Sequence, residues 1–262
     1  MKIKLLLLVF ISIIISFSCA KKNDVAGSET WNRIVKKGIL NIGTDISGTP
    51  FAYLENGKYI GFEIDIIKAI AKELGLTANV IKVPFGLDNF DKALNSHEVD
   101  VIVESITKTK ERLDRFSFSS QYFTSGQAII LAKNEEVPDK FELSMLNDKK
   151  VGVEKGTTGA YFADNYLKSN IVVYETSQDA LNALIAGDVY AIVNDVLSSK
   201  TSKWEMWDKI KVVKKNLTQE EYGIIVKKGE DLLIQKLNYA LAKLKEDPVD
   251  STYAKLYRKW FY

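Results

Sequence analysis

Apolar residues along this chain follow two different periods. Residues 39–44 (ILNIGT) form a short apolar run closed by the turn SGTP, which predicts a buried strand. Residues 62–74 (FEIDIIKAIAKEL) change to helical spacing, with Phe62, Ile66, Ile67, Ile70 and Leu74 on one side. Glu63 and Asp65 occupy the first turn and Gly75 follows the last, as helix ends favour. Residues 80–83 predict a strand, 89–95 a helix and 99–103 a strand. Strands alternating with helices predict a largely parallel sheet.

After Gly126 the pattern restarts. Residues 128–132 predict a strand, and MLNDKKVGVEKGTTGAYFADNYL reads as strand, Gly-rich turn and helix. Residues 178–186 predict a helix and 189–193 a strand. ALNSHEVDVIVES (93–105) is echoed by ALIAGDVYAIVND (183–195), although two helix–strand units also look alike by chance. The tail reads as strand, helix and a last amphipathic helix, with Leu232, Leu237, Leu241 and Leu244 on one face. The expected architecture is α/β, with two lobes that each end a strand in polar residues. Open α/β sheets bind ligands at the carboxyl ends of their strands, so two such ends facing each other predict a site between lobes.

Composition narrows this little. The 262 residues are 46% hydrophobic and 27% charged, which is globular. Net charge is +2, and Lys2 and Lys4 belong to the leader, so nothing points to nucleic acid. The leader itself is informative. MKIKLLLLVFISIIISFSCAKK has a basic start, an apolar run too short for a membrane span, and small residues before Cys19. It reads as a secretory signal over residues 1–18; an uncleaved anchor is the alternative. Cys19 is the only cysteine, so no intrachain disulfide forms. Residues 19–30 are expected to form a polar tether.

Several segments, in order, carry a resemblance: LNIGTDISGTPFAY, GFEIDIIKAIAKELGL, VDVIVESITKTKERLDRFSFSSQYF, KKVGVEKGTTG, ALIAGDVYAIVND and YGIIVKKGEDLLIQKLNYALAKLK with YAKLYRKWF. Together the set resembles the periplasmic amino-acid-binding proteins of ABC transporters, the polar amino acid family. The leader resembles a loose lipobox, in which Cys19 becomes a lipidated first residue. The resemblance implies a type II periplasmic binding fold, each lobe a mostly parallel sheet flanked by helices, joined by two hinge crossovers. Lobe 1 is expected at 31–122 plus 222–262, lobe 2 at 126–216, and the hinges near 122–126 and 216–222.

In that family the arginine of T-x-T-x-x-R grips the ligand α-carboxylate, which maps to Arg112. A guanidinium suits this, because its planar fork binds carboxylate bidentately and stays charged when buried. Taken alone, Arg112 reads as a surface arginine capping a loop. Ser105 and Thr107 are expected to give the same carboxylate backbone and hydroxyl contacts. Thr157 and Thr158 of GTTG are expected to offer N–H and hydroxyl donors at a helix N-terminus. Asp195 matches the carboxylate that takes the α-ammonium; a helix cap is its other reading. Asp45 matches an aspartate on the ligand side chain. The resemblance also places Phe51, Phe85, Leu87, Ile106 and Asn194 at the ligand.

Departures from the pattern bear on the ligand. Gly48 stands where many relatives stack an aromatic, and Leu87 stands at another stacking position, with Phe85 nearby. Glu104 replaces a small residue, and Glu154 stands where a lysine occurs in a glutamine binder. With Asp45 these place three carboxylates around the side-chain pocket, and unpaired buried negative charge is costly. The expected ligand is therefore a basic amino acid: arginine, lysine or ornithine. The alternative is that Glu104 or Glu154 faces solvent or pairs with Lys155. A free amino acid and a membrane permease are the expected partners of a monomer secreted across the inner membrane and lipid-anchored at the periplasm or cell surface. No cofactor or metal is expected, since no metal-ligand spacing is present. The enzyme alternative is a dehydratase on a ring acid with Glu104 or Glu154 as general acid. His97, the only histidine, falls at a helix–strand junction and reads as a surface residue. A neutral polar ligand such as glutamine, or an adhesive surface lipoprotein without a clamp, completes the alternatives.

Overall fold

A computed structural model describes residues 28–45, 48–196 and 208–262. The leader, Cys19 and the tether as far as Ala26–Gly27 lie outside the described residues. The described chain opens on helix α1 (Ser28–Lys37). Its first turn takes in residues 28–30 of the expected tether: Thr30 is buried and donates to Glu230 at 2.7 Å.

The chain continues through β1 (Ile39–Thr44), the hairpin β2 (Tyr53–Glu55) and β3 (Lys58–Ile60), α2 (Phe62–Glu73), β4 (Thr77–Lys82), α3 (Leu87–Asn95), β5 (Val101–Ile102), α4 (Lys110–Arg115) and β6 (Phe116–Phe118). Then come β7 (Phe123–Ser125), β8 (Gln127–Ala132), β9 (Lys150–Glu154), α5 (Thr158–Tyr166), β10 (Asn170–Tyr174), α6 (Ser177–Ala186) and β11 (Ala191–Asp195). The last elements are β12 (Ile210–Lys214), β13 (Glu220–Tyr222), β14 (Ile225–Lys227), α7 (Asp231–Leu244) and α8 (Thr252–Phe261).

These elements build two five-stranded sheets, ordered β4-β1-β5-β14-β6 and β10-β9-β11-β8-β12. In each, three strands run parallel and a fourth, β14 or β8, enters antiparallel. Both antiparallel strands follow directly on a crossover segment, so each sheet is completed by chain arriving from the other lobe. The protein is a two-lobed type II binding fold. Each sheet is covered on both faces by apolar clusters, all lying between Ile34 and Phe261. A chain beginning after Lys22 therefore keeps the whole described fold.

Local chemistry explains the element ends. Thr157 caps α5 by accepting from Ala160 N, and Thr176 caps α6 by accepting from Asp179 N. Gly187, at φ 83°, ends α6 in the left-handed conformation that glycine adopts without strain. β4 begins earlier than its apolar run, because its polar Thr77 and Asn79 pair with β1, where Asn79 donates to Asn41 at 2.9 Å. The strand expected at 189–193 lies at Ala191–Asp195, so Asn194 and Asp195 are its last two residues. On α7 the buried stripe is Leu233, Leu237, Leu241 and Leu244. Leu232 was expected there but sits one position off the stripe and is only partly buried.

The two crossovers touch each other. β7 and β13 pair antiparallel, with Phe123 opposite Tyr222 and Ser125 opposite Glu220. A Cβ on Gly126 would fall 2.1 Å from the Thr218 carbonyl oxygen, so the close approach of the segments requires glycine there.

Candidate ligand-binding site

A cleft opens where strand ends of both sheets meet. From the first lobe it is lined by Phe51, Phe85, Glu104, Ser105, Thr107 and Arg112, and from the second by Glu154, Thr157, Thr158, Asn194 and Asp195. Three expected residues do not line it. The Asp45 carboxylate accepts from Phe85 N at 2.8 Å and so braces the turn between β4 and α3. Leu87 starts α3 and packs, with Ile106, on the cluster around Phe90 and Phe116. Gly48 lines the cleft and, as glycine, contributes no ring to it.

Arg112 is 5% exposed and held by its own short helix, whose cap Thr109 accepts from Arg112 N at 3.3 Å. The guanidinium donates to the Thr107 carbonyl at 3.2 Å in its own lobe and to the Gly156 carbonyl at 3.3 Å in the other. Its carbon lies 6.0 Å from the centre of the Phe85 ring. Among the described residues it makes no direct ion pair. Burial lowers its pKa, and Asp195 and Glu220 oppose that shift. A buried guanidinium bonded to carbonyls is well matched to an incoming carboxylate.

Acidic groups dominate the rest of the cleft. Glu104 is 3% exposed, and its carboxylate accepts from Thr44 Oγ1 at 2.5 Å and Asp45 N at 2.6 Å. Burial, then Glu104, Asp45 and Asp195, push Glu154 up to about 8. Burial, then Glu220, push Asp195 up to about 7, against Gln127 and Arg112. Beneath the floor, burial and Glu104 push Glu63 up to about 8. The alternative pairing of Glu154 with Lys155 is not made: Lys155 reaches Glu175 at 3.0 Å. Among the described residues no cluster of His, Cys, Asp and Glu is arranged for a metal ion. His97 is exposed, at the junction of α3 and β5.

The expected hydroxyl donors face the other way. Ser105 Oγ donates to Glu63 at 2.9 Å, Thr157 Oγ1 to the Glu154 carbonyl at 2.8 Å, and Thr107 and Thr158 to Glu220 at 2.6 and 3.0 Å. Each hydroxyl has one proton, so toward the cleft these oxygens present lone pairs. Backbone N–H groups are then the donors for a carboxylate. Ser105 itself is held at φ 48°, unusual for serine, with its N–H also donating to Glu63 at 2.7 Å.

Sequence reasoning missed Glu63, Gln127, Ser177, Gln178 and Glu220. Gln127 carried a weak signal, a polar residue at the start of an otherwise apolar strand, and Glu220, in the polar stretch EEY, carried none. Their meaning depends on partners far along the chain.

Residues 40–262 match the bacterial extracellular solute-binding proteins, family 3. The chain belongs to that family. Among its relatives is the L-cystine-binding protein TcyJ of Escherichia coli K12, 28% identical over 88% of this chain and 85% of that protein. Among solved structures of like fold is the ancestral amino acid-binding protein AncCDT-1, described as a precursor of cyclohexadienyl dehydratase. It is 34% identical over 89% of this chain and 99% of that one, with a TM-score of 0.77. An ancestral arginine-binding protein, solved with arginine, is 35% identical over 86% of this chain and 99% of that one, with a TM-score of 0.74. The family 3 relatives named here are binding proteins, and the cleft between lobes is where this family 3 chain gathers its acids around Arg112.

Proposed function

We propose that this protein is the extracytoplasmic solute-binding component of an amino acid ABC importer and that its ligand is a basic amino acid, arginine, lysine or ornithine. One observation carries the choice of ligand. Glu104 from one lobe and Glu154 from the other line a single cleft together with Asp195, and burial first, then repulsion from Glu104, Asp45 and Asp195, raises Glu154. A cationic side chain relieves that repulsion; a neutral one leaves it in place. Arg112 takes the α-carboxylate and Asp195 the α-ammonium. The chain divides as 31–122 plus 222–262 and 126–216. Ligand binds the first lobe, and closure about 122–126 and 216–222 adds the second, so that a membrane permease reads the closed form. Cys19 carries the lipid anchor of a monomer outside the cytoplasmic membrane.

A thermal-shift screen tests this. The chain beginning after Lys22 is unfolded and refolded to strip bound ligand, then melted with single amino acids. Arginine, lysine or ornithine raises Tm and neutral amino acids do not. A shift produced by a neutral or acidic amino acid alone refutes the basic ligand.

A second reading rests on Glu154. A carboxyl raised to about 8 holds its proton at neutral pH and can act as a general acid, as dehydration of a ring acid requires. Turnover of a cyclic hydroxy acid, lost in Glu154→Gln, supports this reading over pure binding.

A further inference from the structure

Behind the cleft, polar side chains of both lobes converge on one carboxylate of the crossover. Glu220, in β13, is 3% exposed. It accepts from Thr107 Oγ1 of the first lobe at 2.6 Å. It accepts from Thr158 Oγ1 and Gln127 Nε2 of the second, both at 3.0 Å. Thr218, two residues away on the same crossover, donates to it at 2.8 Å. Gln127, 1% exposed, ties the group to the ammonium site, because its amide nitrogen also lies within hydrogen-bond reach of Asp195 and, at 3.0 Å, of Thr158, and its two N–H groups are shared among these three acceptors. The amide fits there because residue 159 is glycine: a Cβ would stand 2.7 Å from Gln127 Oε1. The first lobe's loop is also sewn to β13, by a bridge between Thr107 and Tyr222 and by Lys108 N donating to the Glu221 carbonyl at 3.0 Å.

We propose that Glu220 is a positioning residue of the binding site, the pivot that draws Thr107 and Thr158 together as the lobes close. It lies on the hinge, so it stays in place whichever way the lobes swing. The Thr107 and Thr158 hydroxyls come from different lobes, and one carboxylate holds both only when the lobes are shut. Charged hydrogen bonds in a buried setting are strong enough to bias such an equilibrium. By accepting both hydroxyl protons, Glu220 also fixes the character of the two oxygens. They meet the ligand as acceptors, suited to its α-ammonium alongside Asp195, while Arg112 and backbone N–H groups take the carboxylate. This inference rests on the lobe closure of the proposed function and is independent of the charge on the ligand side chain.

Spin labels on Lys92→Cys and Asp164→Cys, exposed positions on α3 and α5, report the lobe separation in the chain beginning after Lys22, which lacks Cys19. Distance distributions are recorded without ligand and with saturating arginine, glutamine or cystine, and dissociation constants are measured for whichever binds. In Glu220→Gln the separation shifts toward longer distances in both states and affinity falls at least about tenfold. Thr158→Val, which lowers affinity by itself, adds less than about twofold on top of Glu220→Gln, because both break the same contact. A merely structural role lowers Tm without this coupling. If Glu220→Gln fails to fold, Thr107→Val and Thr158→Val each remove one arm and must lengthen the separation. Unchanged distributions, or fully additive losses, overturn the pivot. So does a wild-type protein that closes with none of the probes. A wild type that closes on glutamine and not on arginine refutes the basic ligand and leaves the pivot standing.

Discussion

Binding of a cationic amino acid to this cleft is expected to release protons, and its affinity to fall as pH falls. The perturbation is a change from pH 8.5 to pH 6. With the two lobes together, Glu154 is raised to about 8, by burial first and then by Glu104, Asp45 and Asp195. A bound cation favours the ionised form, so the complex holds Glu154 deprotonated. At pH 6 roughly 1 molecule in 100 has it ionised before ligand arrives, and apparent affinity scales with that competent fraction. The expected loss is about 100-fold, or about 2.7 kcal/mol at 1.36 kcal/mol per pH unit. Calorimetry in two buffers of different ionisation enthalpy measures both quantities. Near pH 6.5 it gives about one proton released per ligand from this group, with more if Asp195, at about 7, also ionises. Glu154→Gln removes most of the slope and weakens binding at pH 8.5. An affinity flat between pH 6 and 8.5, with no proton release, refutes the reasoning.

Stability of the ligand-free protein runs the opposite way. Glu63, Glu154 and Asp195 all have folded pKa values raised above their ordinary range. Their contribution is complete below about pH 4 and is lost as pH rises through about 7 to 8, so Tm is lower at pH 8.5 than at pH 5.5 in a calorimetric scan. Arg112→Ala is expected to cost at least about 100-fold in affinity for any amino acid, on the order of 3 kcal/mol, while the chain still melts cooperatively. Gly126→Ala forces the crossovers apart where its Cβ would meet Thr218 at 2.1 Å. It costs about 1–3 kcal/mol in chemical denaturation. Leu237→Ala, in the core of the first lobe, costs about 2–5 kcal/mol in the same assay, against under 1 kcal/mol for Leu232→Ala.

The residues readable in the sequence are those whose role is local. Arg112 stands in a short motif of the resemblance that also supplies its helix cap, and Thr157 was expected at a helix N-terminus, where it caps α5 and turns its hydroxyl proton to the Glu154 carbonyl. Glu104 and Glu154 stood out as departures from the pattern of the family that the chain resembles. Asp45 shows where this stops. Phe85 N, 40 residues on, draws its carboxylate to the turn between β4 and α3. Leu87 and Ile106 are ordinary apolar residues, and only packing decides whether such a side chain meets ligand or core. The polar pairing of Thr77 and Asn79 hid the start of β4, since an exposed edge strand has no continuous apolar run. Glu220 was out of reach, because its partners lie 113 and 62 residues away and nothing near it in the chain marks it as polar for a purpose. The hydroxyl directions at Ser105, Thr107 and Thr158 follow from Glu63 and Glu220, so they too were hidden.

The most direct test compares arginine with citrulline, which keeps the α-groups and nearly the same shape but carries no side-chain charge. Dissociation constants for both, at pH 8 on refolded protein, isolate the interaction of that charge with Glu104 and Glu154. Arginine is predicted to bind about 100-fold tighter, consistent with one buried charged contact. Equal affinities, or tighter binding of citrulline, would contradict the account.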